Sequence, residues 1–194
     1  MPRKSAATDK PLREHILEVA DTLFYTQGIH AVGIDRVIAV AGIAKTSLYR
    51  YFPSKDALVK AYLEQRDERF WRELEAALAD CDTDPRSQLL GIIDWIAQLL
   101  ARPTCYGCPF LLTVGEFPEP QHLARPVIMR HKQQLRDRLE NLAQTAQLQH
   151  PQILGMRLLM LTDGAFAERR YLEPTMVSRV FKEAATDLVA SFCH

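Results

Sequence analysis

Residues 34 to 58 constrain the fold of this chain more than any other segment, because two short helical patterns meet there at a glycine. Val37 and Ala41 lie four residues apart on the apolar side of the first pattern, and Gly42 stands where a helix would end in the left-handed conformation. The spacing therefore predicts a short helix, a sharp corner and a second helix.

The second helix of this pair has two chemically different sides. Leu48 and Phe52 are four residues apart and are expected to face inward, with Ile43 as an apolar plug at the corner. At about 100° per residue, the opposite side carries hydroxyls, a phenol and a guanidinium. In a helix-turn-helix, the start of the second helix reaches base edges in the major groove, and hydroxyl and lysine groups contact phosphates. The predicted DNA-binding residues are Lys45, Thr46, Ser47, Tyr49, Arg50, Tyr51 and Lys55.

Lys55 is predicted to contact a phosphate because it lies in the first turn of the next helix, after Ser54 as the expected N-cap. A cation there opposes the helix dipole, which favours anions. The alternative interpretation is a solvated surface lysine.

These residues resemble the tetracycline-repressor-like (TetR) family of bacterial transcription regulators. The resemblance rests on Gly28 and on the run AGIAKTSLYRYFPSKDAL from residue 41 to 58. It implies a three-helix DNA-binding domain whose third helix reads DNA, and a fourth helix that leads into a ligand-binding body. The chain departs from the family at Val32 and Gly33, where hydroxyl residues are common, and at Ala44, where serine commonly caps the recognition helix.

The rest of the chain predicts an all-α protein, because helical periodicity is interrupted only by prolines and turn residues. We expect a flexible basic arm over residues 1–10, a helix-turn-helix DNA-binding domain over 11–55, and a ligand-binding and dimerisation domain over 56–194. The first helix is expected from Pro11 to Gly28, and the long linking helix runs to about Asp80. The five later helices are placed near 85–101, 106–116, 125–148, 151–171 and 175–192.

The last two predicted helices are apolar enough to need a partner. One side of each can pack on the protein's own core, and the other suits a four-helix interface with a second copy. A homodimer through about 151–171 and 175–192 would present two reading helices to a palindromic DNA site. The alternative interpretation of both stripes is ordinary core.

The regulatory body is expected to bind a small-molecule effector in an apolar pocket. For Asp163, the structural alternatives are a cap on the turn at Gly164 or an ion pair with Arg157 or Arg130. The candidate pocket residues are Trp71, Trp95, Phe110, Glu116, Phe117, His131, Met160, Asp163 and Phe166.

Cys105 and Cys108 form a CxxC pair with three possible interpretations: bland buried residues, a redox pair, or half of a metal site. No βαβ pattern accompanies them, and the other cysteines and histidines lack paired spacing, so we expect no metal and no cofactor. The chain also lacks a nucleophile–base set, so an enzyme is not expected. The second functional hypothesis is a small helical thiol protein, or a redox-sensing variant of the regulator.

Charge and hydropathy agree with a cytoplasmic regulator, for which we predict repression of transcription. The net charge is zero overall, yet residues 1 to 60 carry +3 and residues 61 to 194 carry −3. The basic excess therefore lies where DNA would bind. The chain contains no apolar run of about 18 residues that would predict a membrane span.

Overall fold

Residues 12–193, the part of the chain described by this computed structural model, form α-helices joined by turns and contain no strand. The all-α prediction is therefore confirmed. The arm predicted for residues 1–10, and Pro11, lie outside the described residues. The helices are α1 (Leu12–Gln27), α2 (Ile34–Ala41), α3 (Lys45–Tyr51), α4 (Lys55–Leu78), α5 (Pro85–Ala101), α6 (Pro109–Glu116), α7 (Arg125–Thr145), α8 (Pro151–Glu168) and α9 (Pro174–Ala190).

The corner between α2 and α3 has the predicted cause. Gly42 adopts a left-handed conformation, with φ of 65°, and its N–H bonds to the carbonyl oxygen of Ala39. Helix α3 follows without a side-chain cap, because Ala44 at its N-cap position has no acceptor. Ser54 caps α4 as predicted, since its hydroxyl accepts a hydrogen bond from the backbone N–H of Ala57 at 3.0 Å.

Two apolar clusters form the core, and α4 contributes to both of them. Leu58 and Leu63 at the start of α4 pack with α1, α2 and α3, whereas Leu74 and Leu78 near its end pack with α5, α7, α8 and α9. The first cluster also includes residues of α6 and α7, among them Phe110. A single long helix and these shared contacts tie the N-terminal helices to the rest of the protein.

The predicted bounds of the later helices need correction at several ends. Helix α6 begins at Pro109 and not at 106, because Gly107 has φ of 112° and breaks the helical backbone. Helix α7 ends at Thr145 and α8 begins only at Pro151, since Gln147 and His150 both have positive φ. Helices α7 and α8 then pack closely, and a Cβ placed on Gly155 would lie 2.4 Å from Cγ of Glu140. No helix among residues 12–193 has the length and apolarity needed to cross a bilayer.

Candidate DNA-binding surface and effector cavity

Helix α3 is held by its apolar side and exposes its polar side. Leu48 is 0% exposed and Phe52 is 2% exposed, so both anchor the helix in the N-terminal core as predicted. Ile43, predicted as the plug at the corner, is only half-buried. The exposed residues of α3 are Lys45, Thr46, Tyr49 and Arg50.

Three other predicted DNA-binding residues are half-buried: Ser47, Tyr51 and Lys55. The Arg50 guanidinium lies 4.9 Å from the centre of the Tyr51 ring and donates a hydrogen bond to its hydroxyl at 3.1 Å. Partial burial lowers the pKa of Lys55, and the charges of Glu116 and Asp56 oppose that change. Lys55 is thus half-buried at the start of α4, and its contact with phosphate stays a prediction.

An ion pair joins the two helices of the helix-turn-helix at the surface. Nζ of Lys45 lies 3.1 Å from Oδ1 of Asp35, and this hydrogen bond raises the pKa of Lys45. Both side chains are more than half exposed, so the pair contributes little to stability. The Lys45 ammonium can exchange this partner for another anion at little cost.

A cavity of about 450 Å³ lies among α1, α4, α5, α7, α8 and the segment that leads into α6. This volume is within the range that suits a small organic ligand. Its walls combine aromatic rings with charged side chains and the two thiols of the CxxC pair. Of the candidate pocket residues, the following line it: Trp95, Phe110, His131 and Phe166.

The other candidate pocket residues lie elsewhere. Met160 is 66% exposed on the outer side of α8. Trp71 points its indole N–H at Asp67, at 2.9 Å, and its neighbour Phe70 lines the cavity instead. Phe117 stacks on His122 with ring centres 4.2 Å apart.

Asp163 also lies outside the lining of the cavity, and its ion-pair partner differs from the two arginines predicted from the sequence. It forms a close ion pair with Lys132 of α7, and not with Arg157 or Arg130. Lys132 itself lines the cavity. Asp163 therefore acts one step away from the cavity, by fixing the Lys132 ammonium.

Several lining residues were missed by sequence reasoning. Asp21 and Tyr25 of α1 and Arg66 of α4 all face the cavity, and Arg66 forms a close bidentate pair with Asp21. The Arg66 guanidinium also lies 3.9 Å from the centre of the Tyr25 ring. In the sequence, these residues are visible only as polar positions within otherwise apolar helical patterns. Such positions do not distinguish a residue that lines a pocket from one on the surface.

His131 is the most deeply buried ionisable residue of the cavity wall. Its side chain is 3% exposed, and Nδ1 lies 2.8 Å from Oδ1 of Asp67, which is 8% exposed. Burial lowers the pKa of His131 despite the opposing effect of Asp67. Burial tends to raise the pKa of Asp67, but hydrogen bonds from His131, Arg130 and Trp71 outweigh it and the pKa is lowered.

The CxxC pair lies in the same cavity wall. All four cysteines are free thiols, and Cys105 and Cys108 are both buried. Nζ of Lys132 lies 3.6 Å from Sγ of Cys108. Among residues 12–193, no three His, Cys, Asp or Glu side chains are grouped so that they could hold a metal ion.

Glu116, at the end of α6, contacts the end of α1 and not the main cavity. Its carboxylate accepts hydrogen bonds from the backbone N–H groups of Ile29, at 2.9 Å, and His30, at 2.5 Å. The His30 ring also bonds to the Glu116 carbonyl oxygen at 2.8 Å and lies 4.4 Å from Phe117, centre to centre. We call this set of contacts the α1–α6 clasp.

The outer sides of α8 and α9 expose apolar side chains in a row. Met160 is 66% exposed and Val180 is 52% exposed, and both are flanked by further apolar residues on the same helices. Exposed apolar groups at this spacing are typical of a surface that another protein covers. The flanking residues are Ile153, Met156 and Met176.

Comparison with known proteins agrees with this architecture. Residues 16–62, which span α1 to α3 and the start of α4, match the family model described as bacterial regulatory proteins, tetR family. The crystal structure of a TetR-family transcriptional regulator from Streptomyces coelicolor superimposes with a TM-score of 0.88 at 32% identity, over 94% of this chain and 96% of that one. The chain belongs to the TetR family of transcriptional regulators.

Curated TetR-family relatives match this chain over its N-terminal part. An uncharacterised HTH-type regulator of Mycobacterium tuberculosis is 33% identical over 86 residues, which are 44% of this chain and 42% of that protein. The repressor NemR of Escherichia coli is 28% identical over 102 residues, 52% of this chain and 51% of NemR. The chain thus spans about half the length of these curated relatives or less.

Membership of the TetR family decides between the two functional hypotheses. The matched proteins are transcription regulators, and the small thiol protein is not favoured. Oxidation sensing by Cys105 and Cys108 within a TetR-family regulator stays a prediction.

Proposed function

We propose that this chain is a repressor that binds a palindromic DNA site as a homodimer and leaves it when a small-molecule effector binds. The observation that carries the proposal is α3, which exposes Lys45, Thr46, Tyr49 and Arg50 while Leu48 and Phe52 hold it in the core. A short helix anchored in this way keeps its polar side free for the major groove. Residues 11–55 then form the DNA-binding domain, and 56–194 the regulatory and dimerisation domain.

Polar residues of α3 fall into two groups, those suited to contact base edges and those suited to contact phosphates. Tyr49 and Arg50 reach base edges, because a guanidinium and a phenol both supply directional hydrogen bonds. Thr46, Ser47 and Lys45 contact phosphates beside the groove. Lys55 adds a phosphate contact from the start of α4, and Tyr51 supports Arg50 through the ring contact described above.

Effector binding is linked to DNA through α6. This helix begins beside the cavity at Pro109 and ends at the α1–α6 clasp, so a shift at one end is felt at the other. A ligand that favours one position of α6 shifts the population between two spacings of the reading helices. The regulator acts in the cytoplasm, where the DNA lies.

The test begins with a binding site selected from random duplex DNA by the full-length chain. We expect Tyr49→Ala and Arg50→Ala each to weaken binding to that site by about 10-fold or more, with little change for unrelated duplex. Lys55→Ala is expected to weaken binding to every duplex and to lower the slope of log affinity against log salt by about one. Fluorescence anisotropy at several salt concentrations measures all three.

Arg86→Ala is the matched control, because Arg86 is an exposed arginine on α5, far along the chain from α3. Tyr49→Phe separates the hydroxyl of Tyr49 from its ring. If Tyr49→Ala and Arg50→Ala bind the selected site as tightly as Arg86→Ala does, the assignment of α3 is wrong.

A further inference from the structure

The central cavity is built from aromatic walls with a few polar groups between them. Phe70, Trp95, Phe110 and Phe166 line it, and the His131 ring stacks on Phe110 with centres 3.7 Å apart and an angle of 14° between planes. Flat walls of this kind favour a flat, aromatic ligand.

Every charged side chain that lines the cavity already has a partner of opposite charge, and two arginines share one carboxylate. Arg66 and Arg69 both pair with Asp21, with the Arg69 contact at 3.7 Å. A second pair joins Arg102 to Glu73 at 3.2 Å, and Lys132 is paired with Asp163. A charged ligand would have to displace one of these partners, so the cavity favours a neutral one.

His131 offers a hydrogen-bond acceptor with a defined direction. Its Nδ1 is bonded to Asp67, whose second oxygen accepts from Arg130 at 3.3 Å, so the proton of the neutral imidazole lies on Nδ1. The opposite nitrogen, Nε2, then carries a lone pair and makes no hydrogen bond to any residue that the structure describes. Thr162 is a buried residue that also lines the cavity, and its hydroxyl likewise makes no hydrogen bond to the described residues.

We propose that this cavity binds a neutral aromatic compound carrying a hydroxyl group, which donates its hydrogen bond to Nε2 of His131 while its ring lies between Phe110 and the other aromatic walls. The Thr162 hydroxyl supplies a second polar contact for a ligand with two such groups. This inference names the effector class for the proposed function and rests on it only for the link to DNA release.

Three naphthalene derivatives of one shape test the proposal by titration calorimetry on the full chain. The probes are 2-naphthol, its methyl ether 2-methoxynaphthalene, and 2-naphthoate at neutral pH. We expect 2-naphthol to bind about 10-fold tighter than the ether, because only the naphthol can donate to Nε2. Equal affinities, tightest binding of naphthoate, or no binding of any probe at millimolar concentration would each overturn the proposal.

The variant His131→Phe removes the acceptor and keeps a ring against Phe110. We expect its preference for naphthol over the ether to disappear while its affinity for the ether stays within about twofold, which shows that the cavity is intact. If the variant retains the preference, Nε2 is not the acceptor. The comparison of probes on the natural chain stands even if the variant fails to fold.

Operator release is measured separately, by adding 2-naphthol to the complex with the selected duplex. Binding with the expected preference but without release would leave the ligand class in place and count against effector release. If α3 variants weaken DNA binding but the probes bind with equal affinity, the proposed DNA-binding function stands and the proposed ligand class is wrong.

Discussion

At the scale of single residues, the pair formed by Asp67 and His131 has the most consequences. A buried carboxylate is costly unless several donors satisfy it, and Asp67 receives hydrogen bonds from His131, Arg130 and Trp71. The charged groups that face His131 from neighbouring helices are Asp67 on α4 and, through Lys132 on its own helix, Asp163 on α8. Both carboxylates favour the protonated imidazole, but burial and the charge of Lys132 outweigh them and lower the pKa of His131.

The stability of the fold should therefore depend on pH through His131. Burial holds the pKa of His131 below its ordinary value of 6.5, so the unfolded chain takes up a proton there before the folded chain does. This contribution to the free energy of unfolding is complete above pH 6.5 and is lost as the pH falls from there toward the lower folded pKa. Denaturant unfolding at fixed protein concentration, from pH 7.5 to 5.5, measures the loss.

His131→Phe is the comparison for this effect. We expect the free energy of unfolding of the natural chain to fall more steeply than that of the variant, by at most about 1.4 kcal/mol per pH unit. Asp67, whose pKa is also lowered, loses its contribution only at more acid pH, below its ordinary value of 3.8. Parallel slopes for the two proteins would show that His131 is not held neutral.

At the scale of elements, α6 is the short helix that joins the cavity to the DNA-binding part. Its eight residues span about 12 Å, from Pro109 at the cavity to Glu116 at the clasp. The clasp closes a turn in which Gly28 has φ of 88°, and the two N–H groups that follow it bond to the Glu116 carboxylate. The turn that follows α1 is thereby held by a side chain from the regulatory part of the protein.

Replacing Glu116 by glutamine should loosen the α1–α6 clasp. The change removes the negative charge from two charge-assisted hydrogen bonds, which we expect to lower the free energy of unfolding by about 1–2 kcal/mol. Hydrogen exchange should quicken at the amides of Ile29 and His30. Glu119→Gln, at an exposed residue three positions on, is the control, and equal exchange rates in the two variants would show that Glu116 does not hold this turn.

At the scale of the whole molecule, the exposed apolar row on α8 and α9 is the feature that a monomer does not explain. The inner sides of α8 and α9 pack on the core through residues such as Leu158 and Phe181, while Met160 and Val180 face outward. The proposed homodimer covers this row by pairing the two helices with those of a second copy.

A charge placed in that row should separate the two copies. We expect Val180→Glu to shift the molecular mass in solution from that of two chains toward that of one, because the carboxylate would be buried at the interface without a partner. Sedimentation equilibrium measures the mass, and affinity for the palindromic site should fall with it. Gln98→Glu, which adds the same charge at an exposed position on α5, should leave both unchanged, and a dimeric Val180→Glu protein would count against this interface.

The sequence alone determined the helix-turn-helix, because its causes are local. The left-handed glycine at 42, the Ser54 cap, and the apolar pair Leu48 and Phe52 act within one or two turns of helix, so periodicity and residue chemistry suffice to predict them. The helix ends at 147–150 were less accurate, since the positive φ of Gln147 and His150 is not encoded by any glycine.

Only the tertiary structure decided the composition of the cavity and of the clasp. Asp163 pairs with Lys132, Phe70 and not Trp71 faces the cavity, and Glu116 bonds to residues more than eighty positions earlier. Each of these contacts depends on the rotation and shift of one helix relative to another. That relative position follows from the packing of many side chains at once. A single amphipathic pattern says that a helix has a buried side, but its partner on that side is set by the whole fold.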